Sequence, residues 1–181
     1  MKKIVVAFMC ALTACSFAGC ASAGVQLENI DSTKTVKPED INITDYKNDL
    51  DGLEKYFIKL NYIPDKTQPT EMMYKVIGAV DGDRYIFNVN NSNVNIELYE
   101  YDPDNLNEDA RRVLGEIKEN GEFHVFKDKS INGDTTYPGV ISDNGKYMMI
   151  YIDSSNSEAN TEHKKLVVDT FKAFYSSDII G

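Results

Sequence analysis

Arg84-Tyr85-Ile86-Phe87-Asn88-Val89, then Asn90-Asn91-Ser92-Asn93, then Val94-Asn95-Ile96-Glu97-Leu98-Tyr99-Glu100-Tyr101 is the run that decides the fold. Both flanks are rich in Val, Ile, Tyr and Phe, which suit a pleated, half-buried surface. The residues between them tolerate the positive φ that a tight hairpin needs. In the second flank Val94, Ile96 and Leu98 alternate with Asn95, Glu97 and Tyr99, giving one core face and one face at least partly wet. Met72 to Val80 reads as a further strand, separated from Arg84 by Asp81-Gly82-Asp83, so that three strands form an antiparallel meander.

Helical spacing appears on both sides of this meander. Upstream, Tyr46, Leu50, Leu53, Phe57 and Leu60 mark an amphipathic helix, with Thr44 or Asp45 placed to cap it, Pro64 beyond its end and Gly52 as a point of close packing. Downstream, Leu106, Ala110, Val113, Leu114 and Ile117 mark a second helix that stops at Asn120-Gly121. Glu122 to Phe126 reads as a strand, and Tyr137 to Ile141 and Lys146 to Ile152 flank the hairpin signal Asp143-Asn144-Gly145. A last helix from about Asn160 to Ser176 buries Leu166, Val167, Phe171 and Phe174. The expected fold is α+β: a mostly antiparallel sheet of five to six strands with about three helices packed against it, in the order α-β-β-β-α-β-β-β-α. Residues 43–181 form the single domain, and the polar, unpatterned stretch 20–42 is read as a tether with a reach of roughly 25 Å.

The N-terminus gives an address. Lys2 and Lys3 precede an apolar run from Ile4 to Leu12, the pattern of a secretory signal. That run is too short to span a bilayer, which takes about 20 residues as a helix. Leu12-Thr13-Ala14-Cys15 and Phe17-Ala18-Gly19-Cys20 each place a cysteine directly after small residues. Both resemble the lipobox of bacterial lipoproteins, in which the cysteine thiol receives a diacylglyceryl group before cleavage on its N-terminal side. Cutting before Cys20 gives a signal of ordinary length, residues 1–19, and leaves Ala21-Ser22-Ala23-Gly24 as a small, flexible start, so Cys20 is preferred over Cys15 as the lipidated residue. Two acyl chains anchor stably where one binds only marginally. The resemblance implies a chain held at the extracytoplasmic face of the cell membrane through its lipid.

Composition narrows the chemistry. All three cysteines, Cys10, Cys15 and Cys20, lie in the signal region, so the rest of the chain has neither a disulfide nor a thiolate metal site. Loss of Lys2 and Lys3 with the signal leaves 17 of the 19 basic side chains against 29 acidic ones, a net charge of −12. That balance argues against nucleic acid as a partner, which demands Lys and Arg for its phosphates. It also argues against lying flat on anionic lipid.

No catalytic spacing is present. There is no G-x-S-x-G elbow and no H-E-x-x-H. Between Gly139 and Gly145-Lys146 lie five residues instead of the four of a phosphate loop, and Tyr147 stands where Ser or Thr must hold magnesium. His124 and His163 have no second histidine at metal-ligand spacing and read as solvated or partner-satisfied. The acidic run from Asp102 to Asp109 fails as a calcium loop, with Leu106 fifth and Asn107 sixth, and reads as capping by Asp104 or Asn105. No cofactor is expected.

The remaining signal is aromatic. Of eleven tyrosines many fall on expected strands, and Tyr85, Tyr99, Tyr101, Tyr147 and Tyr151 form a candidate interaction surface if they share an uncovered face. Ile77-Gly78-Ala79 with Asp81-Gly82-Asp83, Glu97 to Asp102, and Ser142-Asp143-Asn144-Gly145-Lys146-Tyr147 resemble segments of small uncharacterised lipoproteins of Gram-positive gut bacteria. The resemblance implies a class and no active-site residues. The expected function is a membrane-anchored, non-enzymatic binding or interaction module with a protein or cell-envelope partner. A carboxylate-based envelope hydrolase and an inhibitor of a basic extracellular protein stand as alternatives. Mass spectrometry of the membrane-extracted protein checks the address: a diacylglyceryl-modified Cys20 at the mature N-terminus is expected, and an unlipidated N-terminus refutes it.

Overall fold

The computed structural model describes residues 27–65, 69–128 and 134–176. Cys15, Cys20 and the signal segment lie outside the described residues. The fold is α+β. Its centre is the hairpin of β3 (Asp81–Val89) and β4 (Ser92–Glu100), nine residues each, paired from Asp81↔Glu100 to Val89↔Ser92. Asn90 and Asn91 form the two-residue turn with φ of 48° and 64°, the left-handed geometry whose twist matches paired strands. β8 (Tyr147–Asp153) runs antiparallel along the other edge of β4, and the short β7 (Val140–Ile141) continues beyond it. The outer edge of β3 is shared by β1 (Asn29–Ile30), parallel to Asn88–Val89, and β2 (Thr70–Glu71), antiparallel to Asp83–Arg84. β5 (Glu122–His124) and β6 (Thr136–Pro138) make a separate two-stranded sheet.

Period-two alternation divides this sheet between two cores. One face carries Tyr85, Phe87, Val94, Ile96, Leu98, Tyr147, Met149 and Tyr151, packed with α1 (Leu50–Lys59) and α3 (Glu158–Ala173) through Leu53, Phe57, Val167 and Phe171. The other carries Tyr99, Tyr101, Met148 and Ile150, packed under α2 (Glu108–Asn120) through Ala110, Val113, Leu114 and Ile117. Rings knit the first core: Phe57 meets Tyr62 edge-on at 5.5 Å and Phe171 at 6.4 Å. Glu100 ties α1 to the sheet, its carboxylate accepting from the Leu50 N–H at 2.7 Å and from Lys146 Nζ at 3.0 Å. A negative group there also complements the positive end of the helix.

Several local expectations are corrected. The expected strand Met72 to Val80 is a 3₁₀ turn over Tyr74–Ile77, and only Thr70–Glu71 pairs with β3. Its β-rich composition serves packing instead, because Ile77 and Ala79 turn into the second core. The stretch read as a tether joins the fold from Asn29 onward: Ile30 is buried, and Val36 and Ile41 pack on the first core. Those apolar positions follow no period, since the segment is a two-residue strand followed by short 3₁₀ turns.

α1 begins later than expected, with Asp49 capping the Gly52 N–H, while Asn42 caps a separate 3₁₀ turn over Ile43–Asp45. α2 is capped by Asn107, which accepts from the Ala110 N–H at 2.9 Å, rather than by Asp104 or Asn105. Leu166 stays 39 % exposed. Gly52 is a point of close approach as expected: a Cβ there would stand 2.0 Å from the Lys47 carbonyl oxygen. The expected strand Tyr137 to Ile141 divides at Gly139, where a Cβ would strike Ile117 at 2.6 Å and the chain passes from the small sheet to the large one.

Phe57→Ala should cost about 3–5 kcal/mol, because Phe57 is fully buried among rings that cannot collapse onto the gap. Denaturant unfolding measures it, and a cost below about 1 kcal/mol contradicts this packing.

Candidate functional site

The five tyrosines do not form a surface. Tyr85, Tyr147 and Tyr151 lie on the α1 and α3 side, Tyr99 and Tyr101 on the α2 side, and none is more than 4 % exposed. Tyr147 Oη donates to Asn48 Oδ1 at 2.8 Å, and Tyr99 Oη to Glu97 Oε2 at 2.7 Å. Burial pushes all five phenols up. The interaction-surface reading of these residues is therefore overturned: helices cover the faces on which they sit.

What remains accessible is part of the α2 side of the sheet. Strand register sets three consecutive rows there: Gly82–Tyr99–Met148, Arg84–Glu97–Ile150 and Ile86–Asn95–Ile152. The first row is buried in the second core. The third is not, for Ile86 is 37 % and Ile152 42 % exposed, on either side of a half-buried Asn95. The middle row lies at the border and floors a cavity of about 190 Å³, walled by Met72, Val76, Phe123, Val125 and Tyr137. Met73, 62 % exposed, stands at its mouth, and an open hollow over Glu71–Val76 adjoins it.

The floor carries opposite charges. Glu97 is only 3 % exposed, and each of its oxygens accepts one bond, from Tyr99 Oη and from Asn95 Nδ2 at 3.2 Å. Arg84 faces it directly across the ladder, with a buried Nε that has no hydrogen-bond partner. Asn95 Oδ1 is likewise buried and unpartnered. With Nδ2 donating to Glu97, the Asn95 amide oxygen is the atom left without a partner. An apolar pocket with a few convergent polar groups is the usual form of a binding site. No family model, curated protein or solved structure matches the chain.

Two other clusters hold titratable groups. His124 lies between Glu116 (Nδ1 to Oε2, 3.2 Å) and Asp134 (Nε2 to Oδ1, 3.1 Å), while Arg112 Nη1 donates to the His124 carbonyl at 2.6 Å. This set straps β5 to α2. His163 is 4 % exposed and edge-on to Tyr62 at 6.0 Å, with Nε2 unpartnered, so it is neither solvated nor fully satisfied; burial pushes its pKa down, against the opposing field of Asp153. Among the described residues no group of three or more His, Cys, Asp or Glu is placed to hold a metal ion, and no helix is long and apolar enough to cross a membrane.

Glu54 of α1 faces Asp83 of β3. Burial first, then the Asp83 carboxylate, raise the Glu54 carboxyl to about 8, and Asp83 is raised as well, chiefly by burial. Glu54 Oε1 is buried with no donor to meet it, which favours the protonated form. A raised acid beside a second carboxyl is the pairing a carboxylate hydrolase needs. Neither, however, lines the Arg84–Glu97 cavity, the hollow beside it, or the cavity that residues 38–44 form with Tyr56 and Thr170. The pair's effect is on stability. The folded chain keeps a proton that the unfolded chain releases near the ordinary value of 4.5, so stability is greatest below that value and falls as pH rises toward 8. Glu54→Gln, permanently neutral, should lose less melting temperature than wild type between pH 5 and pH 8. Equal losses contradict the shared-proton arrangement.

Proposed function

We propose that the chain is a non-enzymatic interaction module, held at the extracytoplasmic face of the cell membrane by a lipidated Cys20, that meets its partner with the half-open side of its sheet. The observation that carries this reading is the exposure of Ile86 and Ile152, which flank Asn95 in the row next to the Arg84–Glu97 cavity, on a side of the sheet that α2 covers only in part. Exposed apolar surface costs solubility and is common where a partner docks. Two buried polar atoms without hydrogen-bond partners, Arg84 Nε and Asn95 Oδ1, lie in the two adjoining rows.

The acidic balance of the chain and its lipid anchor fit together. A chain that carries a net charge of −12 after loss of residues 1–19 is repelled by anionic headgroups and stays presented to the aqueous side. Its counterpart is then a protein or envelope component, reached by diffusion. A photo-crosslinking amino acid in place of Ile152 or Met73, in intact cells of the producing organism, should yield discrete adducts. The same group in place of Leu166, an exposed apolar residue on α3, should yield none. Equal adduct patterns from all three positions, or adducts from none, contradict this choice of face.

A further inference from the structure

We propose that Asn144, followed by Gly145, is a deamidation site that the folded state keeps closed, and that its conversion to a carboxylate releases the C-terminal end of α3 from the β7–β8 hairpin. This stands apart from the interaction-module reading.

The sequence supplies the reactive pair. Glycine leaves the backbone nitrogen that follows the asparagine unhindered and the chain free in φ. That nitrogen, once deprotonated, attacks the side-chain Cγ: a C–N bond forms, the Cγ–Nδ2 bond breaks, and Nδ2 departs as ammonia. Water then opens the cyclic imide at either carbonyl and leaves an aspartate or its β-linked isomer. Among the described residues this pair occurs at Asn120–Gly121 and at Asn144–Gly145. Asn120 is exposed at the end of α2, whereas Asn144 is half-buried and bonded through both its amide oxygen and its amide nitrogen.

Those bonds make the side chain a cap for another element. Asn144 Oδ1 accepts from Ser142 Oγ at 2.7 Å and from the Lys146 N–H at 3.0 Å, which fixes the amide within the turn. Nδ2 donates to the Phe174 carbonyl at 3.2 Å and, more weakly, to the Tyr175 carbonyl at 3.4 Å. The neighbouring Asp143 N–H donates to the Lys172 carbonyl at 2.9 Å. One turn thus meets three carbonyls at the end of α3, where a helix has no partners of its own. The first core depends on that end, for Phe174 is fully buried and meets the rings of Tyr56, Tyr147 and Tyr175.

A carboxylate at position 144 reverses the contact. Ionised, it can only accept, so it would set negative oxygens against the Phe174 and Tyr175 carbonyls. Negative charge is also disfavoured at the C-terminal end of a helix. The bonds that make the amide necessary protect it as well. The Gly145 N–H is held by the Ser142 carbonyl at 2.8 Å, and turning Cγ onto that nitrogen means giving up the bonds of the amide. Reaction therefore waits on local opening of the hairpin.

The gate is read on the wild-type chain, incubated at mildly alkaline pH with and without unfolding urea and followed by peptide mass spectrometry. Conversion at Asn144 should be slower by about ten-fold or more in the folded chain than in the unfolded one. Equal rates overturn the proposal. Asn144→Asp, checked for folding by circular dichroism, reads the consequence. Its melting temperature should fall below that of wild type, and the deficit should grow as pH rises through about 4, because a protonated carboxyl can still donate. Amide exchange at Asp143, Phe174 and Ser176, whose N–H groups bond to the Lys172, Phe171 and Ala173 carbonyls, should quicken by about ten-fold. Wild-type melting and wild-type exchange in this variant overturn the release of α3, however well the folded chain protects Asn144.

Discussion

The turn at Asn90–Asn91 is the constraint from which most of the molecule follows. With both residues in the left-handed region, β3 and β4 pair without a bulge over nine residues. A slip of one residue would exchange the faces of the sheet, moving Tyr85 and Phe87 out of the first core and Arg84 and Ile86 into it. The hydrophobic pattern of the two strands and the geometry of their turn agree on one register. Everything else packs on a surface whose two sides are thereby already decided.

Those two sides are used unequally. The α1 and α3 side is closed by rings, with Phe57, Tyr62, Phe171 and Phe174 all fully buried. The α2 side is closed over only one end, because α2 and the β5–β6 ribbon reach the Tyr99 row but not the Ile86–Asn95–Ile152 row. Arg84 and Glu97 fall at the border between dry and wet. There both oxygens of the Glu97 carboxylate accept a bond within the protein, while Arg84 Nε is buried without a partner. A domain without disulfides can leave such an edge open because the opposite core carries its stability.

Much of this is legible in the residues. The Asn-Asn turn, the alternation in Val94 to Leu98 and the helical spacing around α2 identify the central hairpin and the α+β class. A turn at Asn90–Asn91 also dictates that Arg84 opposes Glu97 and that Tyr85, opposite Ile96, lies on the other face from Tyr99. Five tyrosines spread over two faces cannot make one surface, and composition alone conceals that. Tyr74-Lys75-Val76-Ile77 misleads because β-branched and aromatic residues suit any packed position, a 3₁₀ turn included. Residues from Asn29 to Ile41 mislead in the opposite sense, since a two-residue strand buries Ile30 and short turns follow it, neither leaving a periodic mark. The pocket itself depends on β8 joining β4 and on how far α2 reaches, which no local pattern encodes.

Hydroxyl-radical footprinting of the purified chain and of the chain on intact cells tests the central claim, that one side of the sheet is sealed and part of the other is left for a partner. In the purified protein Met73, Ile86 and Ile152 should label readily while Tyr85, Tyr99, Tyr101, Tyr147 and Tyr151 stay protected, and on cells the first three should become protected too. Ready labelling of the five tyrosines in the purified protein, or unchanged labelling of Met73, Ile86 and Ile152 on cells, contradicts the account.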